Sequence, residues 1–214
     1  MLVGASVLSA DFSNLKNDLD SMLHSGIDFW HLDIMDGYFV PNFTFGLDII
    51  NHVPSILPLQ IHFMVKDPAI IYKLFRENLT IKLAKCEFIF HVENAPSVNL
   101  IELINLVKSD GHKVGLAINP SSMVNLLDEY IHMVDSILIM SVNPGFSGQK
   151  FISGVLSKID YIKSIRNDIK IGLDGGVNNQ TVGLVNSKNV DFIVSGSYLF
   201  SSNKRLEAVS SLKS

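Results

Sequence analysis

The sequence predicts an α/β protein, a single-domain (β/α)8 barrel over residues 1–214, and three observations favour this fold. Short apolar runs alternate with amphipathic segments along the whole chain. Several runs are apolar on both faces, as Ile137–Met140 shows, which is typical of parallel strands covered on both sides. Chemically reactive side chains follow nearly every run, where barrel proteins carry their sites. An open, doubly wound sheet is the alternative architecture.

Eight strands are predicted from the spacing of the apolar residues. They are Val3–Leu8, Phe29–Ile34, Leu59–Phe63, Phe88–His91, Lys113–Ile118, Ser136–Met140, Ile169–Leu173 and Phe192–Val194. Apolar stripes at helical spacing between the strands predict helices over Asn14–His24, Val98–Lys108 and Lys158–Ile165. No linker or shift in composition divides the chain, so we expect one domain.

The composition argues against several classes of function. The net charge is -4 and lysines and arginines form no run, so neither nucleic acid nor a membrane surface is an expected partner. Cys86 is the single cysteine, which excludes an internal disulfide, and we interpret it as a packing residue. Residues 1–9 lack the basic flank of a signal peptide, and no apolar stretch is long enough to span a bilayer. We therefore expect a cytoplasmic protein.

Histidine and aspartate side chains recur where strands end. His31 and Asp33 are two residues apart in a predicted strand and therefore project to the same side. His62 ends the next strand, and Asp174 follows the seventh. Imidazole and carboxylate together suit one divalent metal ion, whether zinc, iron(II), manganese or cobalt. Taken singly, each residue has an ordinary explanation as a core histidine or a helix cap.

The other five histidines are interpreted differently. His24, His52, His112 and His132 have no partner at a strand end and are predicted to lie on the surface. His91, with Glu93 two positions later, lies on the same rim as the predicted ligands and is expected to support them.

Glycine-rich loops after the last three strands predict a phosphate site. Glycine lets the backbone approach an anion closely and donate amide hydrogens, although tight turns need glycine as well. The residues concerned are Gly145, Phe146, Ser147 and Gly148 after strand six, Gly175 and Gly176 after strand seven, and Gly196 and Ser197 after strand eight. The loop over residues 141–150 is long enough to act as a lid.

Three methionines follow the same strands. Met35 lies two residues beyond Asp33, and Met64 lies two beyond His62, so each shares the side of a predicted ligand. With Met140, they would form a polarisable apolar patch beside a substrate. Ordinary core packing explains their spacing equally well.

At these residues the chain closely resembles the ribulose-phosphate 3-epimerases. The matching stretches are 6–12, 31–46, 62–65, 119–120, 140–151 and 174–178, which together extend over almost the whole chain. The resemblance implies a (β/α)8 barrel that interconverts D-ribulose 5-phosphate and D-xylulose 5-phosphate, a reaction of the pentose phosphate pathway. It also implies one divalent metal ion per subunit and a homo-oligomer.

The resemblance assigns roles to individual residues. Asp33 and Asp174 would be the catalytic acid and base, acting through a metal-stabilised enediolate, and both would ligate the metal together with His31 and His62. Substrate contacts would come from Ser9, His62, Met35, Met64, Met140, Gly145, Phe146, Ser147, Gly148, Gly175, Gly176, Gly196 and Ser197.

The chain departs from the pattern of the family at a few positions, none of them a predicted ligand. Ser147 replaces a usual glycine, and the segment 78–87 is longer than usual and lacks a common turn. Two other functions remain open at this point. One is an allulose 6-phosphate 3-epimerase, whose substrate is one carbon longer, and the other is a non-catalytic phosphate-binding barrel.

Overall fold

The computed structural model describes residues 1–78 and 86–213, and its centre is a closed barrel of eight parallel strands. The strands are β1 (Leu2–Ser6), β2 (Phe29–Met35), β3 (Leu59–Met64), β4 (Glu87–His91), β5 (Lys113–Ile118), β6 (Ser136–Met140), β7 (Lys170–Asp174) and β8 (Phe192–Ser195). Each strand pairs with its neighbours in chain order, and β8 pairs with β1. The predicted barrel is confirmed, and the open sheet is wrong.

Helices cover the outside of the barrel. They are α1 (Leu15–Leu23), α2 (Leu47–Ile50), α3 (Pro68–Asn78), α4 (Leu100–Ser109), α5 (Ser157–Ile165), α6 (Val182–Asn186), α7 (Ser197–Phe200) and α8 (Arg205–Lys213). The helices predicted from apolar stripes are confirmed as α1, α4 and α5, with ends that differ by no more than two residues. Within the described ranges, no helix combines the length and the apolar character needed to cross a bilayer.

The alternation of side chains in β2 separates two apolar layers. Trp30, Leu32 and Ile34 belong to the large cluster between strands and helices, together with residues of α1. Burial of a leucine or isoleucine side chain in such a layer contributes about 1.5–3 kcal/mol. Phe29, from the opposite face of the strand, belongs to a smaller cluster with residues of β4, β5, β6 and β8. His31 and Asp33 lie on the same face of β2 as Phe29 and therefore point toward the barrel interior, as their spacing predicts.

The register between β2 and β3 places the predicted ligands side by side. Asp33 is the Cα partner of His62, and Met35 is the partner of Met64. Two residues earlier in each strand, His31 is the Cα partner of Gln60. Neighbouring strands therefore deliver three matched pairs of inward-facing side chains at successive levels of the barrel.

Several predicted strand boundaries differ from the observed ones by one or two residues, and two of these differences concern the site. β1 ends at Ser6, and the chain then forms a 3-10 turn over Val7–Ser9 in which the amide of Ala10 donates to the carbonyl of Val7 at 3.0 Å. The seventh strand runs over Lys170–Asp174, so the aspartate is the last residue of the strand.

His112, which was predicted to lie on the surface, is half-buried. Its ring packs against Phe88 with 5.2 Å between ring centroids, and its Nδ1 atom is buried. His24, His52 and His132 are exposed, and Cys86 is buried, as predicted. Most of the unusual segment 78–87 lies outside the described residues.

Candidate metal centre and substrate pocket

Four side chains meet at the carboxyl ends of three strands. His31 and Asp33 come from β2, His62 comes from β3, and Asp174 comes from β7, which is not a neighbour of either strand. One nitrogen or oxygen atom from each residue lies within 4.8 Å of the corresponding atoms of the other three. Both histidines are completely buried. The structure thus brings together the four residues that were predicted as metal ligands.

The spacing of these atoms matches the coordination shell of a metal ion. Nε2 of His31 lies 3.3 Å from Oδ1 of Asp33 and 3.6 Å from Oδ2 of Asp174. Nδ1 of His62 lies 3.3 Å and 3.8 Å from the same two oxygens. Metal–ligand bonds of about 2.0–2.1 Å place tetrahedral ligands about 3.3–3.4 Å apart. The cluster can therefore hold a divalent ion after only small adjustments.

The charges of the ion-free cluster are strongly coupled. Burial disfavours the charged form of His31, but Asp33 and Asp174 outweigh it and raise the pKa of His31 to about 9. Burial likewise opposes ionisation of Asp33, yet the charge and hydrogen bond of His31 lower its pKa. An imidazolium–carboxylate pair therefore occupies the centre when no metal is bound.

The pKa values of Asp174 and His62 are both shifted so that the uncharged form of each side chain is favoured. Burial raises the pKa of Asp174 to about 7, and the nearby charge of Asp33 acts in the same sense although His31 opposes it. Burial lowers the pKa of His62 to about 3. The two carboxyl groups of one cluster therefore have clearly different proton affinities.

Ser6 is a member of this cluster that sequence reasoning missed. Its hydroxyl donates to Oδ2 of Asp33 at 2.6 Å, which leaves Oδ1 facing the two histidines. Ser6 is the Cα partner of His31 in the ladder between β1 and β2. A serine in an apolar strand gives no signal by itself, because its role depends on that register.

A pocket of about 480 Å³, its open mouth included, lies above the cluster. Its lining includes Ser9, Met35, Met64, Met140, Gly145, Phe146, Ser147, Gly148, Gly175, Gly176, Gly196 and Ser197, together with Asp33 and Asp174. These are the predicted substrate-contacting residues except for His62, which lies beneath the floor with no exposed surface. Substrate contact by each of them stays a prediction.

Ser9 is the clearest candidate for a polar contact in this pocket. Its hydroxyl oxygen is buried and has no hydrogen-bond partner among the described residues. A Cβ atom at Gly196 would lie 2.5 Å from that oxygen, so the glycine keeps the space beside it open. A buried hydroxyl without a partner is costly unless a ligand or water completes it.

The segment 141–150 forms one wall of the pocket, and its hydrogen bonds include one from outside the loop and two within it. Nδ2 of Asn42 donates to the carbonyl of Gly145 at 2.7 Å. Nε2 of Gln149 donates to the carbonyls of Asn143 and Phe146 at 2.6 and 2.8 Å. The ring of Phe146 remains 55% exposed. Asn42 and Gln149 were not singled out from the sequence, since contacts between loops leave no periodic pattern.

The glycine loops meet around the far end of the pocket. Gly176 has a φ of +69°, and a Cβ atom there would lie 2.7 Å from the backbone nitrogen of Phe151. Only glycine fits this close approach of two loops. Among the described residues that line this end, none is a lysine or an arginine. An anion bound here would therefore interact with backbone amides and hydroxyls.

Comparison with known proteins places the chain among its relatives. Residues 2–200 match the model of the "Ribulose-phosphate 3 epimerase family". The chain belongs to the ribulose-phosphate 3-epimerase family. A ribulose-phosphate 3-epimerase of Bacillus subtilis (strain 168) is 36% identical over 99% of this chain and 97% of its own. One from Treponema pallidum (strain Nichols) is 39% identical over 94% of this chain and 91% of its own. The membership predicted from the motifs is confirmed.

Solved structures with low sequence identity share the barrel of this epimerase-family chain. A 3-keto-L-gulonate-6-phosphate decarboxylase from Vibrio cholerae O1 biovar El Tor has a TM-score of 0.71 at 8% identity, covering 99% of this chain and 95% of that one. A 3-hexulose-6-phosphate synthase from Salmonella typhimurium has a TM-score of 0.70 at 12% identity, covering 99% and 96%. At such identities the likeness concerns the fold alone.

Proposed function

We propose that this protein interconverts D-ribulose 5-phosphate and D-xylulose 5-phosphate by inverting C3, with one divalent ion at His31, Asp33, His62 and Asp174. The observation that carries the proposal is the meeting of Asp33 and Asp174. They come from β2 and β7 and line the floor of one pocket, where each carboxyl group shares the same two histidines. Membership of the epimerase family supports the choice of reaction.

Epimerisation next to a ketone removes a proton from one face of the carbon and returns one to the opposite face, which two carboxyl groups on different strands can do. A divalent ion bound at this centre would act as a Lewis acid and stabilise the negative charge that develops on the ketone oxygen. Imidazole and carboxylate ligands suit zinc, iron(II), manganese or cobalt.

Asp33 and Asp174 divide the proton transfers between them. Asp33 takes the C3 proton of ribulose 5-phosphate, and Asp174 returns a proton to the opposite face, with the roles reversed for xylulose 5-phosphate. In the metal-free protein the two carboxyl groups are not equivalent, because the pKa of Asp33 is lowered and that of Asp174 is raised to about 7.

The remaining lining residues would bind and orient the sugar phosphate. The loops with Gly176 and Gly196 would bind the phosphate through backbone amides, at a distance from the reacting carbon. Binding energy gained there is available for orientation of C3 between the two aspartates. Met35, Met64 and Met140 line the wall beside the carboxyl groups, where they would exclude water.

Metal analysis of the purified protein combined with an epimerase assay tests this function. We expect about one divalent ion per chain, loss of activity after chelation, and recovery when the ion is restored. Allulose 6-phosphate, which is one carbon longer, is the comparison substrate and should turn over more slowly than ribulose 5-phosphate. A protein that is fully active without metal, or that turns over neither phosphate, would refute the proposal.

A further inference from the structure

Both histidines of the candidate metal centre use their second ring nitrogen in a hydrogen bond that leads away from it. Nδ1 of His31 lies 2.6 Å from Oε1 of Gln60, and Nε2 of Gln60 donates to Oε2 of Glu87 at 2.8 Å. The hydroxyl of Ser136 donates to the other oxygen of Glu87 at 2.5 Å. Gln60 is 3% exposed, so this first chain runs through the barrel interior.

Hydrogen-bond chemistry determines the direction of the first chain. An ionised carboxylate only accepts, so Glu87 takes a hydrogen from the amide nitrogen of Gln60. The amide oxygen of Gln60 then faces Nδ1 of His31 and requires a hydrogen on that nitrogen. Nε2 of His31 is left as the nitrogen that can offer a lone pair to a cation.

The second chain starts at His62. Its Nε2 lies 2.9 Å from Nε2 of His91, and Nδ1 of His91 lies 3.1 Å from Oε2 of Glu93. The backbone amide of Asn119 donates to Oε1 of Glu93 at 2.8 Å. His91 is completely buried. Lys158, also buried, donates to the carbonyl of Asn119 at 2.8 Å and so anchors the loop that carries this amide.

The same reasoning gives the second chain a direction. Glu93 only accepts, so Nδ1 of His91 carries a hydrogen. In a neutral His91, Nε2 is then an acceptor and requires a hydrogen on Nε2 of His62. Nδ1 of His62 is left with its lone pair, and this is the atom that faces Asp33 and Asp174.

We propose that Gln60 and His91 are positioning residues that transmit the acceptor character of Glu87 and Glu93 to His31 and His62, and so present both metal-facing nitrogens as lone pairs. The inference rests on the metal centre proposed above. The two spacers are chemically equivalent, because a glutamine amide and a neutral imidazole each accept at one end and donate at the other. His31 and His62 are thus oriented by the same kind of hydrogen-bond chain, one through Gln60 of β3 and the other through His91 of β4.

Imidazole nitrogen NMR on the wild-type protein tests the assignment directly. With 15N-labelled histidine, zinc-loaded protein should show His91 protonated at Nδ1 only and His62 protonated at Nε2. Detection of a doubly protonated His91, or of a hydrogen on Nδ1 of His62 in the metal-free protein, would overturn the second chain. A protein that binds no zinc at all would instead refute the metal centre, so the two failures are distinguishable.

Two substitutions at His91 provide a matched pair for measuring zinc affinity by competition with a chromophoric chelator. His91→Gln retains an acceptor and a donor and should bind zinc within about threefold of wild type. His91→Leu has similar bulk without either group and should lose roughly 10- to 100-fold in affinity. Equal affinities for these two variants would contradict the proposal.

Glu93→Gln tests the direction of the chain. The amide of Asn119 needs an acceptor, so the new side-chain oxygen stays there and its NH2 group faces His91. That arrangement puts a donor where the chain requires an acceptor, and we expect roughly a 10- to 100-fold loss of zinc affinity. Glu77→Gln, at an exposed position, is the control and should bind as wild type does. Circular dichroism of each metal-free variant identifies any that fail to fold, and an unchanged affinity in folded Glu93→Gln would overturn the proposal.

Discussion

Gly172 of β7 and Phe192 of β8 are Cα partners in the ladder, and the aromatic ring occupies the space that a side chain at 172 would need. A Cβ atom built on Gly172 would lie 2.1 Å from Cε2 of Phe192. The same relation holds between Gly4 of β1 and Phe29 of β2, where the distance is 2.2 Å. The two rings meet edge to face inside the barrel, with centroids 5.8 Å apart. Glycine on the neighbouring strand therefore lets each phenylalanine fill the interior.

Gly172→Ala should destabilise the protein by about 1–3 kcal/mol, because the ring of Phe192 must move in a close-packed interior. Urea unfolding of the metal-free protein measures the change. Gly183→Ala is the control, since nothing lies within 4 Å of a Cβ atom there and alanine favours helix α6. The double variant with Phe192→Leu should recover part of the loss. Equal stability of the two alanine variants would contradict this explanation of the interior.

Much of this fold could be predicted from the sequence because strand alternation is a local pattern. His31 and Asp33 project together because side chains two apart share a face of a strand. The strand ends were less predictable. Val7 and Leu8 extend the apolar pattern of β1, yet the chain turns there because the amide of Ala10 bonds to the carbonyl of Val7. Periodicity cannot show such a hydrogen bond.

Contacts that depend on register could not be predicted. Ser6 reaches Asp33 because β1 and β2 pair Ser6 with His31, and Gln60 reaches His31 because β2 and β3 pair those two. A serine or a glutamine in a strand does not by itself indicate a hydrogen-bond partner about thirty residues away in the sequence. His112 was predicted to lie on the surface because it has no partner at a strand end, but its ring packs on Phe88 from another element.

Metal affinity should fall as the pH falls. In the ion-free protein the pKa of His31 is raised to about 9 and that of Asp174 to about 7. A cation must displace the proton of His31 below pH 9 and that of Asp174 as well below pH 7. We therefore expect the affinity to fall about tenfold per pH unit between 9 and 7 and more steeply below 7. Calorimetry in two buffers with different ionisation enthalpies should show proton release, and a dissociation constant unchanged between pH 6 and 8 would contradict this.

Glu93 should stabilise the metal-free protein at neutral pH, and this contribution should be lost in acid. Burial opposes its ionisation, but hydrogen bonds from His91, Ser122 and the backbone of Asn119 lower its pKa to about 2. A lowered pKa stabilises the folded state above the unfolded value near 4.5, and this contribution is lost as the pH falls toward 2. Between pH 7 and 3.5, wild type should lose about 1 kcal/mol more than Glu93→Gln in urea unfolding. Identical losses would show that Glu93 is not held in its ionised form.

Gly176→Ala should weaken substrate binding. The added Cβ atom would lie 2.7 Å from the backbone of Phe151, and the φ of +69° is unfavourable for alanine. The loops at the far end of the pocket must then separate, and we expect KM for ribulose 5-phosphate to rise at least about tenfold, or about 1.4 kcal/mol. Gly26→Ala has a similar φ of +86° with open space around it, so it should lose stability but keep KM. A normal KM in Gly176→Ala would argue against a phosphate site there.

The central claim is that Asp33 and Asp174 serve opposite faces of one carbon, and proton exchange in deuterated water tests it most directly. Folded Asp174→Asn, confirmed to retain its metal, should exchange the C3 proton of ribulose 5-phosphate for deuterium through Asp33 without forming xylulose 5-phosphate. Asp33→Asn should do the same with xylulose 5-phosphate through Asp174. Epimerisation at a rate near wild type in either variant, or exchange of both sugars by the same single aspartate, would contradict the account.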